Sequence, residues 1–335
     1  MQRIPSSPPV IKPVSSTEKR PQWSVMIPVY NGAQYLPDAL LSVLIQSLPE
    51  ENMQIEVVDD ASTDADVKEI VERIGKGRIK YYRQEVNVGS LRNFETCLNR
   101  SKGEIVHLLH GDDRVRPGFY KKISGLFAQY PEVGAAFCRY NYIDEKGAEK
   151  LKHPAEMAED GILENWLLRI AEACSIQYVS IAVKREVYER LGSFYGLIYG
   201  EDWEMWVRIA RIYQVAYTPE ILADYRSHDS SITGNKFLNG GVLKDMKQVI
   251  ELIRNYIPEA KRRTARKMAI KKASYYGIEI ARMVWLRTKN AGYVNANIMQ
   301  VIKMNILDRY VIKSIFNLYV QIFKSGIREL LSRSG

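Results

Sequence analysis

Two pairs of adjacent carboxylates each close an apolar run: Asp59-Asp60 in "QIEVVDDAS" and Asp112-Asp113 in "HLLHGDDRVRP". An ionised carboxylate is costly to bury, and two side by side repel one another. Strands that run straight into such pairs must end at a surface or a cleft. The segments around them repeat one pattern. Residues 23–31 ("WSVMIPVYN") read as a buried strand ending at Pro28. Residues 35–47 have helical spacing at Leu36, Leu40, Val43 and Leu44, with a proline near the first turn. A strand over 54–62, a helix over 64–75, a strand over 79–84, a helix over 88–101 and a strand over 103–113 follow with short connections. This alternation predicts an α/β fold, a mainly parallel sheet with helices on both faces. Ligands of such sheets bind beyond the carboxyl ends of the strands, where both Asp-Asp pairs fall.

Further along, a strand is expected over 133–144, a polar connector over 145–160, and a helix from Trp166 to Ala173. A strand and short helix fall within 175–194, an amphipathic helix begins near 201, and a strand runs from 221 into a polar loop. From 240 onward the pattern is helical, with a break near Pro258 and a turn at Asn290-Ala291-Gly292. Charge divides at the same place. Residues 1–235 carry 28 Lys and Arg against 33 Asp and Glu, and residues 236–335 carry 20 against 6. The expected organisation is a Pro- and Ser-rich disordered leader over 1–22, an α/β domain over 23–235 and a basic helical region over 236–335.

Several classes are set aside on composition. Cys97, Cys138 and Cys174 form no CxxC and read as packed thiols of a reducing compartment. The apolar stretch "YVIKSIFNLYVQIF" is interrupted by Lys313 and is shorter than the ~20 residues of a spanning helix. The aromatics show no nucleic-acid recognition motif. The first strand is not followed by a Gly-rich basic loop, which argues against a nucleotidyltransferase. A processive synthase is disfavoured by the lack of spanning helices and of a Gln-x-x-Arg-Trp segment.

The segments "SVMIPVYNGAQYLPDALLSVLIQS", "VVDDASTD", "NVGSLRN", "LLHGDD" and "GEDWEMWVRIA" resemble, in that order, the motif series of the family 2 glycosyltransferases with the GT-A fold. The resemblance covers about residues 23–233. It implies an inverting, hexosyltransferase-type enzyme that uses a nucleotide-diphosphate sugar and a divalent metal, Mn²⁺ or Mg²⁺. Pro28, Tyr30 and Asn31 would lie against the nucleoside. Asp59 would accept from the base, with Asp60 as the alternative for that role or as a helix cap. Arg92 and Asn93 would donate to phosphate or ribose. The family usually has Asp-x-Asp where this chain has His110-Gly111-Asp112, so Asp112 is left as the expected metal ligand and Asp113 as a sugar-contacting or supporting residue. His110 could ligate the metal, bind the ribose or fill space. His228 would reach back to the metal, Arg226 would face the leaving group, Asp202 would be the catalytic base, and Glu201 would orient it or bind the acceptor.

The bacterial surface-polysaccharide members resembled here imply a glycan or lipid-linked acceptor. A basic amphipathic stretch over 260–286 suggests a cytoplasmic protein attached peripherally to an anionic membrane surface through 236–335. The histidine in the acidic motif keeps open a rival reading, a catalytically inactive nucleotide-sugar-binding or scaffold protein.

Overall fold

A computed structural model of the chain describes residues 2–15, 19–228 and 236–333, with side chains described through Lys324. The first half is β1 (Trp23–Val29), α1 (Leu36–Leu44), β2 (Met53–Asp59), α2 (Val67–Gly75), β3 (Lys80–Arg83), α3 (Ser90–Arg100) and β4 (Ile105–Leu108). The four strands lie side by side in the order β3-β2-β1-β4, all parallel. All seven residues of β1 are buried, so its apolar run reflects cover on both faces rather than a half-solvated strand. The chain winds from β1 toward β2 and β3, then crosses back to β4 on the other side. The switch point is therefore the carboxyl end of β1 and β4.

The sheet continues through β5 (Arg114–Val115), α4 (Phe119–Gln129), β6 (Ala135–Ile143), β7 (Glu149–Lys152), β8 (Gly161–Ile162), α5 (Trp166–Glu172), β9 (Ile181–Lys184), α6 (Arg185–Leu191), α7 (Glu201–Ala210) and β10 (Val215–Arg226). The described residues make one ten-stranded sheet, extended by β9, β6, β10 and β5 beyond β4. It is mixed rather than mainly parallel. β9 runs antiparallel to both β4 and β6, and β5 antiparallel to β10. β5, β7 and β8 have two to four residues each, too few to show a period of two in sequence. His107 on β4 is sealed in the core, stacked on Phe119 at 4.7 Å and within 3.2 Å of the Val179 carbonyl; burial pushes its pKa down to about 3. Cys97 and Cys138 are packed as free thiols, as expected.

The expected disordered leader differs over its described part. Residues 2–15 run as an extended strap on the first unit. Ile11 is 1% exposed, and the carbonyls of Pro5 and Pro9 accept from Gly196 N and Ser193 N. The Lys12 carbonyl accepts from buried Arg185, which also donates to Ser101 O and Leu98 O. Proline supplies no backbone donor, so this segment is held largely through its carbonyls, helped by Lys12 N donating to Asn99 Oδ1 at 3.1 Å, by the Arg3 side chain on Asn87, and by buried Pro5 and Ile11.

The chain divides into two compact units, 1–170 with 175–227, and 171–174 with 228–335. The boundary expected at 235 lies outside the described residues. The second unit contains α8 (Gly241–Ile253), α9 (Glu259–Thr288), α10 (Ala291–Asn305) and α11 (Arg309–Arg333) around a core of Leu243, Ile278, Ala281, Val294, Ile298, Val301, Val311 and Leu318. α9 starts after Pro258, and α10 is capped by Asn290, where the sequence signals lie. At Gly277 a Cβ would meet Leu243 Cδ1 at 2.5 Å, so only glycine lets α9 approach α8 this closely.

Candidate active site

The carboxyl end of β1 is opened by its own sequence. Met26 O accepts from Leu109 N, and two residues on, Pro28 faces the same side without a donor. The β1–β4 ladder therefore stops at Met26–Leu108, and the chain after β4 turns through His110 and Gly111. A Cβ on Gly111 would lie 2.9 Å from Val29 Cγ2, so this turn needs glycine to press against β1. Tyr30, 54% exposed, stands on the rim beyond Val29. Asn31 adopts a positive φ of 50° and latches the rim to the loop after β2. Its N–H donates to Ser62 Oγ at 2.9 Å and its Oδ1 accepts from Thr63 N at 2.8 Å.

The pair after β2 is buried and heavily bonded. Asp59 accepts from Ser62 N, from the Tyr81 hydroxyl at 2.8 Å and from the Arg83 guanidinium. Burial, and then the Asp59 hydrogen bond, push the Tyr81 hydroxyl up to about 12. Arg83 remains partly exposed at 44% and is thus a cation fixed at the strand ends. Sequence reasoning missed it, since a lone arginine closing an edge strand carries no signal. Asp60 neither caps α2, which Asp66 does, nor faces an open site. It accepts from Val88 N at 2.7 Å, Gly89 N at 2.9 Å and Asn87 Nδ2 at 3.0 Å, and pins the loop that starts α3. Burial raises its pKa, opposed by those backbone donors.

Three expected donor contacts are committed elsewhere. Arg92 pairs with Glu95 at 2.6 Å and donates to the strap carbonyl of Gln2. Asn93 is buried and ties α3 to β2 through Val58 O at 2.9 Å. Arg226, expected to offer its charge to a leaving group, is 2% exposed. Its guanidinium donates to the carbonyls of Asp112, Asp144 and Glu145 and to Asp38 Oδ2, and lies over the Tyr35 ring, 4.9 Å from its centroid. An arginine saturated in this way positions the acidic turn; it is not a free cation.

The second acidic pair does form a cluster. His110, Asp112 and Asp113 offer ligand atoms all within 4.8 Å of one another. Asp113 is buried, accepts from Arg226 N at 2.8 Å, and is pushed well above the usual carboxylate range by burial and then by Asp112. His110 lies between Phe94 (centroids 5.2 Å) and Tyr178 (4.3 Å), and its sealed Nε2 has no hydrogen-bond partner. Burial lowers its pKa against the pull of Asp112, which favours the neutral, ligating form. A neutral imidazole with an unpaired nitrogen, beside two crowded carboxylates, suits a divalent cation. The mixed nitrogen–oxygen set fits Mn²⁺ better than Mg²⁺, which prefers oxygen alone.

Tyr178, on a 3-10 turn spanning Tyr178–Ser180, connects this cluster to the second pair of acids. Its hydroxyl donates to Glu201 Oε1 at 3.2 Å. Burial raises its pKa well above 10, and Glu201 and Asp202 raise it further. Gly200 adopts a φ of 85° to start α7, so Glu201 and Asp202 fall in the first turn, where the helix dipole favours anions. Asp202 Oδ1 accepts from Trp203 N at 2.7 Å, and Trp203 anchors the helix through Ile170 O at 2.6 Å. His228 is the first residue of the long C-terminal segment of the second unit and is partly buried there; residues 229–235 of its loop lie outside the described residues.

A mixed GT-A-like sheet with acids at its switch point defines the class of protein. The family model for glycosyl transferase family 2 matches residues 24–192, half of the chain, and the chain belongs to that family. Relatives include the putative teichuronic acid biosynthesis glycosyltransferase TuaG of Bacillus subtilis, 29% identical over 66% of this chain and 85% of its own length. An uncharacterized glycosyltransferase of Rickettsia typhi is 27% identical over 65% of this chain and 68% of its own. Among solved structures, S. aureus TarS 1–349 in complex with UDP-GlcNAc aligns over 92% of both chains with a TM-score of 0.63 at 17% identity. The mannosyltransferase PcManGT of Pyrobaculum calidifontis, in complex with GDP-Man and Mn²⁺, aligns over 91% of this chain and 92% of its own with a TM-score of 0.54 at 18% identity. These structural likenesses bear on the fold.

Proposed function

We propose that the protein is an inverting glycosyltransferase that moves a hexosyl group from a nucleoside-diphosphate sugar to an acceptor hydroxyl. The observation that carries this reading is the line from the His110 ring through Tyr178 to Glu201, which joins the His-Asp-Asp cluster to the acids of α7. Pro28, Tyr30, Asn31 and Asp59 wall the nucleoside, and Arg83 adds a cation at the same strand ends. His110 and Asp112, with Asp113 behind them, would hold a divalent ion, and the sequence resemblance alone offers His228 as a further ligand. When bound, that ion supplies positive charge against the diphosphate. Glu201, held by Tyr178, orients the acceptor. Asp202 takes the proton of the acceptor hydroxyl as its oxygen bonds to the anomeric carbon and the bond from that carbon to the diphosphate oxygen breaks.

The name of one relative, the putative teichuronic acid biosynthesis glycosyltransferase TuaG, supports a role in bacterial surface polysaccharide; the glycan or lipid-linked acceptor rests on the sequence resemblance. The basic C-terminal region supports a cytoplasmic protein held peripherally on anionic lipid. His110 in place of an acid favours the alternative, an inactive nucleotide-sugar-binding protein. The test is a thermal-shift screen of UDP-, GDP- and dTDP-sugars with and without Mn²⁺, followed by NMR of the product of the stabilising donor. A donor raises the melting temperature, and the product has the opposite anomeric configuration; retention would refute the inverting mechanism.

A further inference from the structure

Helix α11 carries two apolar stripes where a helix packed on a core needs one. Val311, Ile315, Leu318 and Ile322, at spacings of four, three and four, face the core of the second unit; Val311 and Leu318 are fully buried. Ile312, Phe316, Tyr319 and Phe323 repeat the same spacing one position or so along, about a quarter-turn around the helix. Ile312, Phe316 and Phe323 are 49%, 66% and 70% exposed. Tyr319 donates to Asn295 Oδ1 of α10 at 2.6 Å, and one turn further on that face of α10 stands exposed Met299. The opposite flank of α11 is tied to α9, where Arg282 donates to Gln321 at 3.2 Å. The second stripe thus faces solvent.

Its surroundings are basic. Arg309, Lys313 and Lys324 are exposed on the flank next to the stripe, and Lys303 follows Met299 on α10. Residues 309–324 contain no Asp or Glu. Two partners could cover such a face, and charge separates them. A second copy would bring another region carrying 20 Lys and Arg against 6 Asp and Glu onto a like region. An anionic bilayer surface offers opposite charge together with an interface that accepts aromatic rings.

We infer that α11 lies in the interface of an anionic membrane, with Ile312, Phe316 and Phe323 inserted among the acyl chains and Arg309, Lys313 and Lys324 on the lipid headgroups. Among the described residues no helix is long and apolar enough to cross a bilayer, so the helix lies on the membrane and does not span it. This narrows the proposed attachment of 236–335 to one helix face and rests on that reading.

The test is co-sedimentation of the full chain with vesicles of phosphatidylglycerol and phosphatidylcholine, or of phosphatidylcholine alone. The wild-type chain sediments with the anionic vesicles. K313A/K324A weakens binding roughly fivefold per charge removed, an effect that fades as salt rises. F316S/F323S lowers binding at least about tenfold at any salt, because loss of apolar insertion is not screened. Absence of wild-type binding to anionic vesicles would overturn both the attachment and the stripe. Wild-type binding that F316S/F323S leaves intact would overturn the stripe alone. So would a dimer in solution that F316S/F323S converts to monomer, since a second copy would then be the occupant.

Discussion

Replacing Tyr178 with phenylalanine isolates the contact that joins the two acidic groups. The ring stays stacked on His110 at 4.3 Å, and the bond from the hydroxyl to Glu201 at 3.2 Å is lost. Hydrogen bonds to charged groups contribute about 1.5–3 kcal/mol. This one is longer than the ~2.7–2.8 Å common between oxygens, so the lower end applies, about 1.5 kcal/mol. Tyr178→Phe is therefore expected to lower kcat about tenfold, with little change in the donor KM. The contact is partitioned by a double-mutant cycle with Glu201→Gln, measuring nucleoside-diphosphate release. If Tyr178 acts through Glu201, the double variant is no slower than Glu201→Gln alone, a coupling of about 1.5 kcal/mol. Additive losses, or a Tyr178→Phe enzyme with wild-type kcat, would refute the link.

Two predictions concern stability. His107 titrates near 3 when folded against 6.5 unfolded, so its neutral form supports the fold above pH 6.5 and that support is lost as pH falls toward 3. At pH 5 the loss is about 2 kcal/mol. His107→Gln removes this part of the slope, so urea midpoints of the two proteins should converge between pH 7 and pH 5; parallel slopes would contradict it. Ile11→Ala in the buried strap is expected to cost roughly 2–4 kcal/mol, read as a lower unfolding midpoint. An unchanged midpoint would mean that the strap is not part of the folded unit.

The sequence showed where the acids lie more readily than what each one does. The strand end at Asp59-Asp60 follows from local periodicity, and so does the helix that opens with Glu201-Asp202, whereas the strand expected over 103–113 stops at Leu108 and leaves Asp112-Asp113 in the turn before β5. The partners of those acids come from distant parts of the chain. Asp60 is satisfied by amides of 87–89, and Arg226 by carbonyls from two loops, so neither commitment leaves a local trace. The Arg92–Glu95 pair, three apart on one helix, was open to sequence reasoning and argued for a structural arginine. Tyr178 is a single aromatic before a four-residue strand, with nothing nearby to mark it. The strap escaped for a compositional reason. Pro- and Ser-rich segments lack the apolar periodicity that marks order, yet here carbonyl groups, a few side-chain bonds and buried Pro5 and Ile11 hold the chain.

The most direct test of the proposed chemistry compares wild type with Asp202→Asn, supplied with Mn²⁺ and the stabilising sugar nucleotide. Asp202→Asn is expected to keep the donor-induced rise in melting temperature while nucleoside-diphosphate release falls by roughly a hundredfold or more, as removal of a general base requires. Turnover that survives in Asp202→Asn, or a wild-type chain that binds donor and never releases the diphosphate, would contradict the account.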